Sequence, residues 1–217
     1  MQKQHFLLLL IASFALAQSP ADSLYREDQI YASIGYPLLI GTPEGLTQNK
    51  LSHTFSFGFI RDMPINSSRN LAFGLGLGLN YNVVYTNLQF TDDMKSTTFV
   101  SSDVTNQWNS VDVEIPLEFR WRNSTAMNYQ FWRIYGGVVG YYSLSAKQRT
   151  RTALTESISS LSVQNFRLAL RLNVGNNTWN LTYTHPIDSF FDFDKSTQNK
   201  SLSQLKTAKL GLIFYIF

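Results

Sequence analysis

Residues 111–122 carry the charged side chains whose types and spacing could do chemistry. Apolar residues occupy every second position of this segment, and the positions between them hold Asp112, Glu114, Pro116, Glu118, Arg120 and Arg122. Side chains two apart on a β-strand point to the same face, and arginine binds carboxylates through two parallel hydrogen bonds. The spacing therefore predicts a strand with one wholly apolar face and one face suited to ion pairing.

Three further arginines occupy polar positions of later alternating segments, namely Arg133, Arg167 and Arg171. If the apolar faces meet lipid, these arginines and the five charged residues of 111–122 point into one interior. An eight-stranded barrel has an interior that side chains just fill. We therefore expect a packed network of carboxylates and guanidinium groups in the lumen, with an ion or substrate pathway as the alternative.

Residues that could support nucleophilic catalysis are few. Apart from His5, the histidines are His53 and His185, and both lie at the ends of predicted strands. His185 is followed by Asp188 and Ser189, an order that permits a Ser–His–Asp arrangement but does not require one. The chain has no cysteine, and it contains no recognisable metal-ligand cluster, phosphate-binding loop or nucleotide motif. We expect no cofactor, and we expect that the protein is not an enzyme.

The segment Leu71–Tyr85 indicates which medium the apolar faces meet. One of its faces is apolar, and the other carries Gly74, Gly76 and Gly78. At ~3.3 Å per residue the apolar face is roughly 33 Å long, or about 25 Å along the axis of a barrel with strands tilted by ~40°. This height matches the lipid-facing band of an outer-membrane barrel, whereas a typical soluble strand covers only ~5–6 residues. The glycine face leaves room for long side chains from other strands.

Alternation along the chain predicts eight strands, at residues 29–40, 52–65, 71–85, 111–122, 131–146, 163–175, 179–186 and 206–217. Connections after the odd-numbered strands are long and polar, and those after the even-numbered strands are short. Outer-membrane barrels sort their connections in this way, whereas a soluble sandwich or lipocalin has no reason to do so. We predict an all-β fold: a single eight-stranded antiparallel up-and-down transmembrane β-barrel with short periplasmic turns and long extracellular loops.

Residues 1–17 have the features of a secretory signal peptide. Lys3 precedes an apolar core, and Ala15 and Ala17 fit the small-residue rule for cleavage. The apolar run is shorter than the ~20 residues of a transmembrane helix, with an uncleaved anchor as the alternative. The predicted organisation is a signal peptide at 1–17, a short periplasmic leader at 18–28 and a barrel at 29–217. A net charge of +3, scattered along the chain, does not indicate nucleic acid as a partner; the expected surroundings are outer-membrane lipid.

Four segments of the predicted barrel resemble one known family: residues 58–66 (GFIRDMPIN), 74–82 (GLGLGLNYN), 113–121 (VEIPLEFRW) and 211–217 (GLIFYIF). Together they resemble the PorT (also SprT) family of Bacteroidota, outer-membrane β-barrels of the type IX protein secretion system that are linked to gliding motility. The resemblance implies a location in the outer membrane of a Gram-negative bacterium, other type IX components as partners, and no catalytic residues. It also implies a signature near a periplasmic turn, formed by Arg61, Asp62, Pro64 and Asn66.

The leading hypothesis is therefore a non-enzymatic accessory barrel that supports type IX secretion and gliding motility. One alternative is a general structural or adhesion barrel that uses its long loops. The other is a lipid-modifying outer-membrane enzyme.

Overall fold

The structure is a computed structural model that describes residues 28–90, 97–100, 104–123, 132–176, 178–192 and 204–216. The predicted signal peptide, and the predicted leader except for Asp28, lie outside the described residues. Over the ranges that are described, no helix has the length and apolar character needed to cross a membrane.

The described residues form eleven β-strands. Their bounds are β1 (Gln29–Ile40), β2 (His53–Pro64), β3 (Leu71–Tyr85), β4 (Leu88–Phe90), β5 (Thr97–Phe99), β6 (Thr105–Arg122), β7 (Trp132–Arg151), β8 (Glu156–Ser160), β9 (Phe166–Asn176), β10 (Trp179–Pro186) and β11 (Lys206–Ile216).

Eight of these strands, β1, β2, β3, β6, β7, β9, β10 and β11, form a closed barrel. Each pairs antiparallel with the next barrel strand along the chain, and β11 pairs with β1 to close the ring. The other three strands are not part of the barrel wall: β4 and β5 form a hairpin after β3, and β8 pairs with the last residues of β7. The predicted eight-stranded up-and-down barrel is confirmed.

The two ends of the barrel differ in the length of their connections. Short connections at residues 65–70, 123–131 and 177–178 lie at one end, which we call the turn end. The connections at 41–52, 86–104, 152–165 and 187–205 lie at the other end, which we call the loop end. The predicted alternation of long and short connections is therefore confirmed.

Outward-facing residues of the barrel are apolar and exposed. Phe55, Phe57 and Phe59 of β2 are 44%, 62% and 46% exposed, and Leu77 and Leu79 of β3 are 62% and 54% exposed. Soluble monomers rarely show contiguous apolar patches larger than a few hundred Å². The apolar faces of the strands thus form a continuous outer surface suited to lipid, and the polar faces point into the lumen.

The glycines of β3 lie beneath large side chains from other strands. A Cβ at Gly78 would collide with the hydroxyl of Tyr31, and a Cβ at Gly74 would lie 2.9 Å from Cδ of Arg120. Tyr31 and Arg120 are both fully buried. The interpretation of the glycine face as room for long side chains is confirmed at these two positions.

Pro116 coincides with an interruption in the pairing of β3 with β6, as expected of a residue without a backbone N–H. The ladder stops at Leu75 opposite Leu117 and resumes at Gly78 opposite Glu114. The pairs that would join Gly76 and Leu77 to Pro116 and Ile115 are therefore missing from the ladder.

A β-bulge lies in the pairing of β6 with β7, nearer the loop end than Pro116. Val111 pairs with Ser145 whereas Asp112 pairs with Ser143, so Leu144 is an extra residue on β7. Because strand side chains alternate with a period of two, an extra residue exchanges the two faces beyond it. Even-numbered residues of β7 point outward below the bulge, and odd-numbered residues point outward above it.

Three predicted strand boundaries were wrong by three residues or more, among them the start of β9, which begins at Phe166 instead of 163. The fourth barrel strand, β6, begins at Thr105 instead of 111, and the fifth, β7, extends to Arg151 instead of 146. Segments 88–107 and 147–161, expected to be loops, contain the ends of these strands and the strands β4, β5 and β8. The strands continue past the lipid-facing band, where their outward positions become polar and the alternation of apolar and polar residues disappears.

Candidate functional site

Three ion clusters fill the lumen. In order from the turn end towards the loop end, we name them the turn, middle and upper clusters. The turn cluster is centred on Asp62. Its Oδ1 accepts hydrogen bonds from Arg120 at 2.9 Å and Arg122 at 3.1 Å, and its Oδ2 accepts another from Arg122 at 3.0 Å. All three side chains are 0% exposed. Arg120 also donates to Gln29, and its guanidinium lies 4.2 Å from the ring centre of Tyr135. One carboxylate therefore binds two buried arginines.

Arg133 reaches the turn cluster from β7. It lies opposite Arg122 in the strand register and is 1% exposed. Its guanidinium lies 5.9 Å from the ring centre of Tyr215 on β11. Three of the predicted arginines, Arg120, Arg122 and Arg133, are thus brought together at the turn end, where aromatic faces and Asp62 surround their positive charges.

The middle cluster is centred on Glu114. Its carboxylate accepts hydrogen bonds from Tyr31 at 2.5 Å, from Arg171 at 2.9 Å and from Ser56 at 3.4 Å. Arg171 also donates to the hydroxyl of Tyr141 at 2.9 Å. These five residues come from β1, β2, β6, β7 and β9, so one buried carboxylate connects five strands across the lumen.

Glu118 lies between the middle and turn clusters and contacts the turn cluster. Its Oε1 accepts a hydrogen bond from Asn173 at 3.1 Å, and its Oε2 lies 3.4 Å from Nε of Arg120. Asn173 also donates to the hydroxyl of Tyr215 at 2.9 Å. Glu118 therefore extends the turn cluster to Asn173 on β9 and Tyr215 on β11.

The upper cluster is centred on Asp112, which forms an ion pair with Arg167. Oδ2 of Asp112 also accepts hydrogen bonds from Ser110 at 3.1 Å and Asn82 at 3.2 Å. Nearby, Nζ of Lys209 donates to Asn80 at 2.7 Å. The ion pair joins β6 to β9, and the polar residues extend the cluster to β3 and β11.

An apolar cap lies across the lumen between the upper cluster and the loop end. Its buried members are Val84, Leu88, Phe90, Trp108, Ala146, Leu161, Phe191 and Leu205. The ring centre of Phe191 lies 4.8 Å from that of Phe90 and 5.0 Å from that of Trp108. Gln148 holds the backbone of Phe90 through hydrogen bonds of 2.8 and 2.9 Å. A cavity of about 40 Å³ remains beneath the cap, which is room for a few water molecules.

Every one of the eight charged residues predicted for the lumen is buried, with at most 8% of its surface exposed. The sequence-based set did not include Asp62 or Lys209 as lumen residues. Asp62 occupies a lumen-facing position of β2, and Lys209 occupies a lumen-facing position of β11, so the alternation within those strands could have identified both. The cap was also missed, because Leu88, Phe90 and Phe191 lie in segments without sustained alternation of apolar and polar residues.

The four signature residues take different positions around the turn end. Arg61 points outward and forms a half-exposed ion pair of 3.2 Å with Asp28, whereas Asp62 points into the turn cluster. Pro64 ends β2. Asn66 organises the turn that follows, since its Oδ1 accepts a hydrogen bond of 3.2 Å from the backbone N–H of Leu71.

The candidate catalytic residues are not assembled into a triad. Nδ1 of His185 lies 3.1 Å from the hydroxyl of Tyr183, while Asp188 accepts a hydrogen bond of 2.7 Å from the backbone N–H of Leu168. Ser189 donates to a backbone carbonyl two residues further on, at 3.2 Å. Among the residues that the structure describes, no group of three or more His, Asp and Glu side chains could hold a metal ion.

Comparison with known proteins agrees with this architecture. The model of the family described as "Outer membrane protein beta-barrel domain" matches residues 16–194. No curated protein matches the chain. Among solved structures, the chain is similar to Ail, the attachment invasion locus protein of Yersinia pestis, with 12% identity over 89% of this chain and 100% of that chain and a TM-score of 0.43.

A mutant of the Rh. blastica porin is a more distant structure, with 10% identity over 88% of this chain and 100% of that chain and a TM-score of 0.16. At these scores neither structure supports an inference about function. The family match covers most of the chain and agrees with the closed barrel and its apolar outer surface. The chain belongs to the outer membrane protein β-barrel domain family, and it is a β-barrel protein of the outer membrane.

Proposed function

We propose that this barrel is a non-enzymatic scaffold that supports type IX protein secretion and gliding motility without serving as the conduit for cargo. The observation that carries the proposal is the filled lumen. Three ion clusters and an apolar cap occupy it, and the cavity beneath the cap is only about 40 Å³. A folded cargo protein cannot pass through an interior of this kind.

The link to type IX secretion is supported by the resemblance of four segments to the PorT (also SprT) family of Bacteroidota. In the barrel these segments lie on β2, β3, β6 and β11, which form one continuous wall together with β1. Asp62 of the signature is the shared acceptor of the turn cluster. A role for the signature in holding the turn end together, where periplasmic partners would dock, is consistent with that position.

The non-enzymatic part of the proposal is supported by the separation of the catalytic candidates. His185 faces outward, beside Tyr183, and Asp188 and Ser189 are engaged with backbone groups. A nucleophile requires its base within hydrogen-bonding distance. This part of the barrel instead uses polar side chains to fix the backbone at the loop end.

The proposal is tested in the native bacterium by deleting the gene and complementing it with the wild-type chain. We expect deletion to abolish surface export of a type IX cargo and spreading on agar, and complementation to restore both. The amount of an unrelated outer-membrane porin is the control, since it must stay constant if the envelope is otherwise intact.

Two results would contradict the proposal by supporting the alternatives. Unchanged cargo export together with a loss of cell attachment would indicate a structural or adhesion barrel. A changed mass of lipid A in the deletion strain, restored by the wild-type chain, would indicate a lipid-modifying enzyme.

A further inference from the structure

Four exposed basic residues, Lys50, Lys147, Arg149 and Arg151, lie on the outer wall of the barrel at the loop end. We call this set the basic rim. Arg149 forms an ion pair of 3.3 Å with Glu156, in which both side chains are nearly half exposed. Within the described part of the chain, Lys147 and Arg151 form no ion pair. Among the described residues, the rim therefore has four basic side chains and one paired carboxylate, that of Glu156.

The β-bulge is the reason that these residues point outward. Leu144 is the extra residue of β7, and beyond it the odd-numbered residues face outward. Without the bulge, Lys147, Arg149 and Arg151 would point into the lumen at the height of the apolar cap and above it. The fold therefore presents these three charges to the surroundings of the barrel at alternate positions of one strand.

The lowest residue of the rim on β7, Lys147, lies at the height of the headgroup region of a membrane, and Arg149 and Arg151 lie above it. Val111 is the last apolar residue on the outward face of β6, and Lys147 and Arg149 lie opposite Asn109 and Gln107, two and four residues above it. At ~3.3 Å per residue and a strand tilt of ~40°, Lys147 lies roughly 5 Å and Arg149 roughly 10 Å above Val111. Headgroups extend about 5–7 Å beyond each side of the hydrocarbon core.

A groove beside the rim combines positive charge with apolar surface. Its volume is about 570 Å³, and its lining includes Lys50, Leu51, Tyr85, Arg149 and Arg151. This is within the range of ~300–1,000 Å³ that small-molecule sites occupy. Leu51 is 77% exposed, and tyrosine is enriched where membranes meet water. Cations beside exposed apolar groups match a ligand that is both anionic and lipid-like.

We infer that the basic rim and its groove bind the phosphorylated headgroup of an outer-leaflet glycolipid. The long connections of outer-membrane barrels lie outside the cell, so the loop end is in the leaflet that contains phosphorylated glycolipid. Lys147 contacts the phosphate nearest the hydrocarbon core, Arg149 and Arg151 contact phosphate further out on the headgroup, and Leu51 and Tyr85 lie against its sugars. This binding does not depend on the proposed role in secretion.

The test is native mass spectrometry of the full barrel in mild detergent, titrated with bisphosphorylated lipid A. The variant Lys147→Gln/Arg151→Gln removes two exposed charges and leaves the ion pair of Arg149 intact. Each lost basic residue is expected to weaken binding about 5-fold, and both together about 25-fold. The control variant Arg61→Gln/Lys206→Gln removes the same charge outside the rim and should bind as the wild-type protein does. Heat-modifiable migration in gels establishes that each variant is folded.

Two further probes identify the source of the phosphate. The wild-type barrel should bind dephosphorylated lipid A no more tightly than the double variant binds intact lipid A. Inorganic pyrophosphate should not compete with intact lipid A for the wild-type barrel at comparable concentrations. Equal binding of intact lipid A by the rim and control variants would overturn the inference. So would equal binding of the dephosphorylated lipid, or competition by pyrophosphate that shows a site for free phosphate.

Discussion

Replacing Asp62 with asparagine tests whether the turn cluster stabilises the barrel. The substitution keeps the size of the side chain and removes its charge, leaving Arg120 and Arg122 without the carboxylate that accepts three hydrogen bonds of 2.9–3.1 Å from them. All three side chains are 0% exposed, so solvent does not screen the remaining charges. Removing one partner of a buried ion pair typically costs ~3–5 kcal/mol. We expect the free energy of unfolding to fall by about that amount.

The assay is urea-induced unfolding of the barrel in phospholipid vesicles, followed by tryptophan fluorescence. Arg61→Gln is the matched control, because it breaks the 3.2 Å ion pair with Asp28 on the outside of the same strand. An exposed pair contributes only ~0–1 kcal/mol, so this variant should unfold almost as the wild-type protein does. If Asp62→Asn changed the free energy of unfolding no more than Arg61→Gln does, the reasoning about the turn cluster would be refuted.

Three further predictions concern topology, the lipid face and the glycine face. The chain has no native cysteine, so a cysteine introduced at Thr155 in the loop end should react with an impermeant thiol reagent on intact cells, whereas a cysteine at Ser67 in the turn end should react only after permeabilisation. The reverse labelling pattern would show that the barrel has the opposite orientation. Leu77 is 62% exposed on the lipid face, so Leu77→Arg should lower the free energy of unfolding by ~2–4 kcal/mol, whereas Ser67→Arg in the exposed turn should leave it nearly unchanged. Equal losses of folded barrel from the two variants would refute the face assignment. Gly78→Ala should lower the free energy of unfolding by ~1–3 kcal/mol because its Cβ would collide with a buried tyrosine hydroxyl, whereas Gly136→Ala, whose Cβ would make an ordinary 3.8 Å contact, should have little effect on the urea midpoint. Similar midpoints for the two variants would contradict this packing.

The barrel itself could be predicted from the sequence because lipid imposes a strict alternation. Each membrane-spanning strand must be apolar on one face, so the pattern within residues 71–85 and 111–122 fixed both the strand type and its orientation. The same rule places Asp112 and Arg167 in the lumen. It gives no information on which strand lies opposite which at a given height, so it could not identify the individual ion pairs.

The loop end could not be predicted in the same way. Beyond the lipid band, the outward positions of β6 and β7 are polar and their inward positions mix apolar residues such as Trp108 with polar ones such as Asn106, so no alternation distinguishes them from loops. The apolar cap depends on contacts between distant residues such as Phe90 and Phe191, whose ring centres lie 4.8 Å apart. The bulge at Leu144 also has no local signal, although it decides which way Lys147 points.

The conductance of the purified wild-type barrel in planar lipid bilayers tests the scaffold role most directly. A lumen filled by three ion clusters and an apolar cap predicts no steady single-channel current, while a porin in the same bilayer serves as the positive control. Glu118→Ala, which removes the buried carboxylate that contacts Arg120 and Asn173, should lower the stability and abundance of the barrel without creating a selective channel. Steady, charge-selective current through the wild-type protein that Glu118→Ala alters would show that the lumen conducts and that the barrel is a pore.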